Sequence, residues 1–219
     1  MDKLRMRFKK TGRAVYISHL DLMHTMQRAF SRSGYELKYS EGFNPHPQIS
    51  IALPLSVGAS SLCEIMDFRL KAEAELSAMP AALSAVMPEG IEVIEVYELS
   101  RKVAELKWLE VEGIFEYDNA DTAEMTAKLE GFYSAEEIII TKKTKRGMGE
   151  SDIKKAIRSI QFKPGDGCVK LHAFVSAQEP TLNPELLAEA LRQKAPELAP
   201  DFAKFTRIET YDAGGAVYR

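Results

Sequence analysis

Leu4, Met6 and Phe8 alternate with Arg5, Arg7 and Lys9, the period-two pattern of a strand with one buried face. Thr11 and Gly12 interrupt it, and residues 14–17 are expected to resume briefly as an extended segment. The period then changes. Between residues 19 and 33, Leu22, Met26, Ala29, Phe30 and Ser33 fall on one stripe, the spacing of a helix that buries one side. Ser18 with Asp21 three residues on reads as a variant capping box, and Gly34 as the stop. Short strands are expected at 36–39 and 48–53. A longer one at 62–70 would place Met66, Phe68 and Leu70 on one side. Residues 72–87 read as an Ala-rich helix that Pro80 kinks or restarts. After the stop signal Pro88-Glu89-Gly90, residues 91–97 form a strand.

The same order returns in the second half. A strand at 108–117, a helix at 122–133 and a strand at 137–141 lead into a basic loop. Residues 152–159 suggest one or two helical turns, and 168–176 a strand. Asn183 followed by Pro184 is a clean start for a helix to residue 194, because proline at the first helical position gives up only a donor that has no partner there. A strand at 205–211 closes the chain. Two β-α-β-β-α-β runs, the first with an extra middle strand, predict an α+β protein. The expected fold is two tandem ferredoxin-like units, antiparallel sheets with helices on one face. The expected domains are 1–100 and 106–219, joined by a linker near 100–105, with the basic loop 142–158 in the second.

Composition narrows the class without naming a chemistry. In 219 residues, 45% are apolar and 28% charged, an ordinary balance for a chain with a buried core. No apolar run is long enough for a membrane span, and the first residues lack the apolar stretch of a secretory signal, so a cytoplasmic protein is expected. Two cysteines 105 residues apart, with no Cys-x-x-Cys, argue against a zinc site, an iron–sulfur cluster or a disulfide scaffold. The net charge of -3 hides a partition. Residues 1–50 carry nine Lys/Arg against four Asp/Glu, residues 71–141 five against sixteen, and residues 142–158 seven against two. Two basic segments flanking an acidic one would suit a nucleic-acid site if they converged, and would otherwise be solvated faces of separate elements.

Three segments are candidates for function. The stretch Ser40-Glu41-Gly42-Phe43-Asn44-Pro45-His46-Pro47 is a turn stiffened by two prolines, holding a ring, an amide and an imidazole. Ser18-His19-Leu20-Asp21 sets His19 at a helix N-terminus, where free backbone N–H groups favour anions. It needs only to face the same side as His46. The loop beginning Lys142-Lys143-Thr144-Lys145-Arg146, with Lys154 and Lys155 beyond it, would suit a phosphate backbone. His24 and His172 are expected in structural or exposed roles. No histidine spacing matches a metal site, and no nucleophile elbow, dinucleotide fingerprint or P-loop is present, so neither metal nor cofactor is expected. The aromatic sheet motif of an RRM-type RNA binder is not visible either.

The runs Arg7–Gly12, Ser18–Met23 and Tyr39–Pro47 resemble the signature of a bacterial domain family linked to radical S-adenosylmethionine (radical SAM) proteins. Members of that family are fused behind a radical SAM protein or encoded beside one. The basic segment leading to Asp152 and Ile153 is similar to a recurring family feature. The cluster-binding Cys-x-x-x-Cys-x-x-Cys is missing, so the chain is not expected to be the radical enzyme. The resemblance implies a radical SAM partner and a substrate-binding or adaptor role. The two-domain reading and the basic loop are compatible with RNA as substrate, so an accessory binding substrate or RNA in tRNA or rRNA modification is expected. The ligand-binding candidates are His19, Asp21, Glu41, Phe43, Asn44 and His46. The nucleic-acid candidates are Lys142, Lys143, Lys145, Arg146, Lys154 and Lys155. Two alternatives stand beside it: a metal-independent endoribonuclease similar to CRISPR repeat-processing enzymes, and a purely protein-binding adaptor.

Overall fold

The computed structural model describes residues 3–144 and 147–219. The chain divides into two compact units, one through Val103 and one from Ala104. The first contains β1 (Leu4–Lys10), α1 (His19–Arg32), β2 (Ile49–Ala52), β3 (Ser60–Phe68), α2 (Met79–Ser84) and β4 (Ile91–Glu98). Its strands lie in the order β4-β1-β3-β2, every neighbouring pair antiparallel. Leu4, Met6 and Phe8 of β1 and Met66 and Phe68 of β3 share one core with Leu22, Met26 and Phe30 of α1. Met79 and Leu83 of α2 join the same core, so both helices cover one face of the sheet.

Several expectations for this unit change. Of residues 14–17 only Ile17 is extended: a 3-10 turn spans Gly12–Tyr16, where the Lys10 ammonium donates to the carbonyls of Val15 and Ile17 and draws that segment around itself. The expected strand at 36–39 is reduced to two bridges, Leu37 to Leu70 and Tyr39 to Pro47, since proline offers no N–H to extend a ladder. With it goes the extra middle strand. The helix at 72–87 shrinks to α2, with Pro80 in its first turn, where proline is tolerated. The polar face of β1 is not solvated. Arg5 and Arg7 are buried, each facing a carboxylate directly across the ladder. Arg5 holds both oxygens of Asp67 at 2.7 and 3.1 Å, and Arg7 reaches Glu95 at 3.1 Å.

The second unit contains β5 (Leu106–Glu116), α3 (Thr122–Tyr133), β6 (Ile139–Thr144), β7 (Gly147–Asp152), β8 (Ile157–Gly165), β9 (Cys168–Ser176), α4 (Glu185–Lys194) and β10 (Phe202–Asp212). Here β10-β5-β9-β8 form the antiparallel sheet, and β6 and β7 pair as a separate hairpin between α3 and β8. Phe115, Phe162 and Phe205 meet on the helix side, where Tyr133 of α3 lies 5.4 Å from Phe162 and donates to the Leu187 carbonyl of α4. Gly113 is required in β5, because a Cβ there would sit 2.8 Å from Leu171 and 3.0 Å from Phe205.

The basic loop 142–158 is thus mostly hairpin. The helical turns expected at 152–159 reduce to a 3-10 turn at Lys154–Ala156, followed by the strand β8, which sequence pattern did not reveal. The first unit therefore runs β-α-β-β-α-β, and the second follows the same order once the β6–β7 hairpin after α3 is set aside; β1 and β3 are central in one sheet, β5 and β9 in the other.

Candidate functional site

The first candidate is built from β1 outward. Lys10 is buried and its two carbonyl partners fix the turn that delivers the chain to α1. Burial lowers its pKa below the ordinary lysine value, against an opposing pull from the Glu64 carboxylate. Gly90 closes the turn from behind: its carbonyl accepts the Thr11 N–H at 2.8 Å, and its φ of +89° with Thr11 O 2.2 Å from any added Cβ admits only glycine. Ser18 then caps α1, its hydroxyl accepting the Asp21 N–H at 3.2 Å and donating to the Asp21 carboxylate at 2.7 Å. Asp21 is thereby part of the cap. His19 is exposed in the first turn, and His24 is exposed one turn later.

The second candidate is a locked loop. Ser40 N–H donates to the His46 carbonyl at 2.8 Å, the Ser40 hydroxyl accepts the His46 N–H at 3.1 Å, and Ser40 Oγ lies 2.9 Å from His46 Nδ1. Gln48 secures the base by donating to the Tyr39 carbonyl. Between these anchors Gly42 turns the chain at φ +121°, and Glu41, Phe43 and Asn44 stand in solvent. Phe43 is fully exposed. One imidazole nitrogen of His46 is spent on the latch, so only Nε2 remains for a ligand.

These two candidates do not form one site. Lys10, which leads into α1, pairs with Ser61 at one end of the β1–β3 ladder; Leu4, Phe68 and Ile49, which follow the loop, pair at the other. Six strand residues separate the ends, about 20 Å at 3.3 Å per residue. His19 and Asp21 thus lie at one end of the unit, and Phe43, Asn44 and His46 at the opposite end. The sequence left open whether His19 and His46 face one ligand; strand direction sets them at opposite ends of the unit.

The third candidate divides by role. Lys142 and Lys143 lie on β6, half-buried and exposed respectively. Lys145 and Arg146 lie outside the described residues. Lys154 donates to the Tyr133 carbonyl at the end of α3, where a cation complements the helix dipole. Lys155 pairs with Asp152 at 3.4 Å. Asp152 accepts the Ile138 and Lys154 N–H groups, both at 3.0 Å, and these hold its carboxyl below the ordinary value, the Ile138 bond first. Lys154 therefore ties the hairpin's base to α3, while Lys155, its side chain 80% exposed beside Asp152, stays open to solvent. Gln193 of α4 pins the hairpin further, exchanging bonds of 2.8 and 2.9 Å with the Thr141 backbone.

Sequence reasoning missed a fourth cluster, on the face of the second sheet away from α3 and α4. The Glu110 carboxylate of β5 joins His172 Nε2 at 2.8 Å and the Tyr211 hydroxyl at 2.7 Å. Phe174 lies 5.5 Å from both rings, and Arg158 stacks 5.4 Å from the centre of Trp108. The signal was the alternation itself: Trp108 and Glu110, like His172 and Phe174, occupy the polar phase of their strands.

Fold and site together define an α+β protein of two compact units, each with helices and antiparallel strands. Its chemistry-bearing residues sit on a latched loop, a basic hairpin and one sheet face. Among the described residues no group of three or more His, Cys, Asp or Glu is placed to hold a metal, and no helix is long and apolar enough to cross a membrane. The chain belongs to the bacterial family described as "Uncharacterized protein conserved in bacteria (DUF2344)", whose model matches residues 3–184. No curated protein matches it. Among solved structures, a chain of a Cbf5-Nop10-Gar1 complex is similar, with TM-score 0.50, 11% identity, and 94% of this chain and 48% of that one covered. The protein thus spans about half the length of that relative, and the likeness concerns the fold. An unknown protein from Galdieria sulphuraria aligns over 93% of this chain and 95% of its own at 10% identity, with TM-score 0.27.

Proposed function

We propose that this protein is a non-catalytic accessory of a radical SAM enzyme that holds an RNA substrate, each unit being a ferredoxin-like module. The partner class comes from the motif resemblance at Arg7–Gly12, Ser18–Met23 and Tyr39–Pro47, and the family's bacterial distribution is consistent with it. One observation carries the binding role: Phe43 stands fully exposed on a loop that is locked before any ligand arrives. An exposed phenylalanine forgoes roughly 1.5–3 kcal/mol of burial, and a preformed loop spends no ordering entropy on binding. In this reading Phe43 packs on the ligand, Asn44 and His46 Nε2 hydrogen-bond to it, and Lys142 and Lys143 face phosphate.

The test is a pull-down from native bacterial lysate with wild-type protein and Phe43→Ala, each split for RNA sequencing and protein identification. The reading expects a radical SAM protein and structured RNA with the wild type, and loss of the RNA with Phe43→Ala. Phe43 buries nothing, so the variant should fold as the wild type does. Recovery of the radical SAM protein after nuclease treatment, with no RNA enrichment, would make the chain an adaptor. Cleaved RNA after prolonged incubation would favour the endoribonuclease alternative.

A further inference from the structure

The sheet face of the second unit combines two features with no structural need for each other. The first is a strip of rings. Trp108 pairs in register with Tyr211 of β10, Phe174 touches both Tyr211 and His172, and all four are half-exposed. Glu110 fixes the outer two of the last three by binding both the Tyr211 hydroxyl and His172 Nε2. The side chains of His172 and Glu110 are 39% and 18% exposed, so the imidazole is held by its Nε2 yet partly open to solvent. The second feature is charge. Two residues before His172 on β9, Lys170 lies directly opposite Lys163 of β8, both exposed and neither in an ion pair among the described residues. Like charges placed opposite one another cost a sheet stability. Arg158, over Trp108, is exposed as well.

We infer that this face binds single-stranded nucleic acid, with unpaired bases stacking on Phe174, Tyr211 and Trp108 and backbone phosphate between Lys163 and Lys170. An anion there turns the lysine repulsion into attraction. A planar base suits a half-exposed ring strip, because stacking needs only an accessible π face and tolerates any sequence. From the Trp108 level to the Lys170 level is six residues of β9, about 20 Å, room for a few nucleotides. Fixed rings on a four-stranded sheet are a known platform for splayed bases. The inference deepens the reading above and rests on it for RNA as the natural ligand.

Trp108 is the only tryptophan in the chain, so its fluorescence reports this face alone. The full chain is titrated with a labelled, mixed-sequence single-stranded RNA octamer, reading probe anisotropy and Trp108 emission together. The expected result is an anisotropy rise with quenched Trp108 emission, and affinity about tenfold weaker in Phe174→Ala. Lys163→Glu/Lys170→Glu changes only exposed side chains and should also weaken binding, by tenfold or more at low salt, with a shallower salt dependence. An anisotropy rise without quenching, lost in Phe43→Ala but intact in Phe174→Ala and the double lysine variant, would overturn the face assignment and leave the RNA reading standing. No anisotropy change with wild type would overturn both. Quenching that Lys163→Glu/Lys170→Glu leaves unchanged would also overturn the assignment.

Discussion

The two units share a strand order but use the outer faces of their sheets in opposite ways. In the first, charges meet their complements in register: Arg5 faces Asp67, Arg7 faces Glu95, and Lys9 faces Glu92, the last pair at 3.0 Å. Arg5 and Arg7 are buried in doing so. In the second, a carboxylate gathers aromatic rings, and two lysines oppose each other in the open. One face pairs its charges across the strands, while the other keeps a local imbalance that an anion would relieve. Identical topology therefore does not assign identical work; the cross-strand partners do.

The largest effect should come from breaking the paired face. Asp67→Ala leaves the Arg5 guanidinium buried without its bidentate partner and is expected to cost about 3–5 kcal/mol in urea denaturation. Replacing both, Arg5→Met with Asp67→Leu, should recover most of that loss, since the penalty lies in the orphaned charge. A double variant as unstable as the single one would mean that the face depends on the pair itself.

Alkaline titration probes the helix side of the second unit. Burial first, and the nearby Asp201 charge second, push Tyr117 from its usual 10 up to about 12, while its hydroxyl donates to the Leu198 carbonyl. Below pH 10 both folded and unfolded chains keep the proton. Between pH 10 and 12 the unfolded chain loses it first, so stability should fall as pH rises through that window. Tyr133 is raised in the same direction by burial. Tyr117→Phe should flatten the decline measured by thermal melting; an unchanged slope would assign it to Tyr133 or elsewhere.

On the open face, Glu110→Gln keeps an acceptor but removes the charge beside His172, and about 1 kcal/mol is expected from melting curves. The smallest change is also the most discriminating. Lys163→Glu should stabilise the fold by roughly 0.2–1 kcal/mol, because it replaces a like-charge pair with an opposite one. The same variant should weaken oligonucleotide binding. A loss of stability would show that the lysines are already balanced within the fold.

What the chain disclosed in advance follows the range of each interaction. α1 was legible because its cap and stop are local: Ser18, Asp21 and Gly34 lie beside the helix they bound. Residues 122–133 and 168–176 form the expected helix and strand from equally local features: Asp121 caps the helix by accepting the Ala123 and Glu124 N–H groups, and buried positions alternate along most of the strand. Strand β8 was hidden because a bulge between Ile157 and Ser159 shifts its phase and Pro164 weakens its pattern. The burial of Arg5 and Arg7 was hidden because their carboxylates arrive more than sixty residues later. For the site, the sequence marked the Phe43 loop but could not show its distance from His19, which depends on strand direction. It passed over His172 because the partners that orient it, Glu110 and Tyr211, sit on two other strands.

The Ser40–His46 latch has one more consequence. A hydroxyl can give or take a hydrogen bond, so Ser40 can donate to a neutral Nδ1 or accept from a protonated one without moving. The outward Nε2 can then change from acceptor to donor while the loop keeps its shape. Whatever meets His46 thus finds a fixed frame holding an interchangeable contact, a hinge pin that stays in place whichever way the door swings.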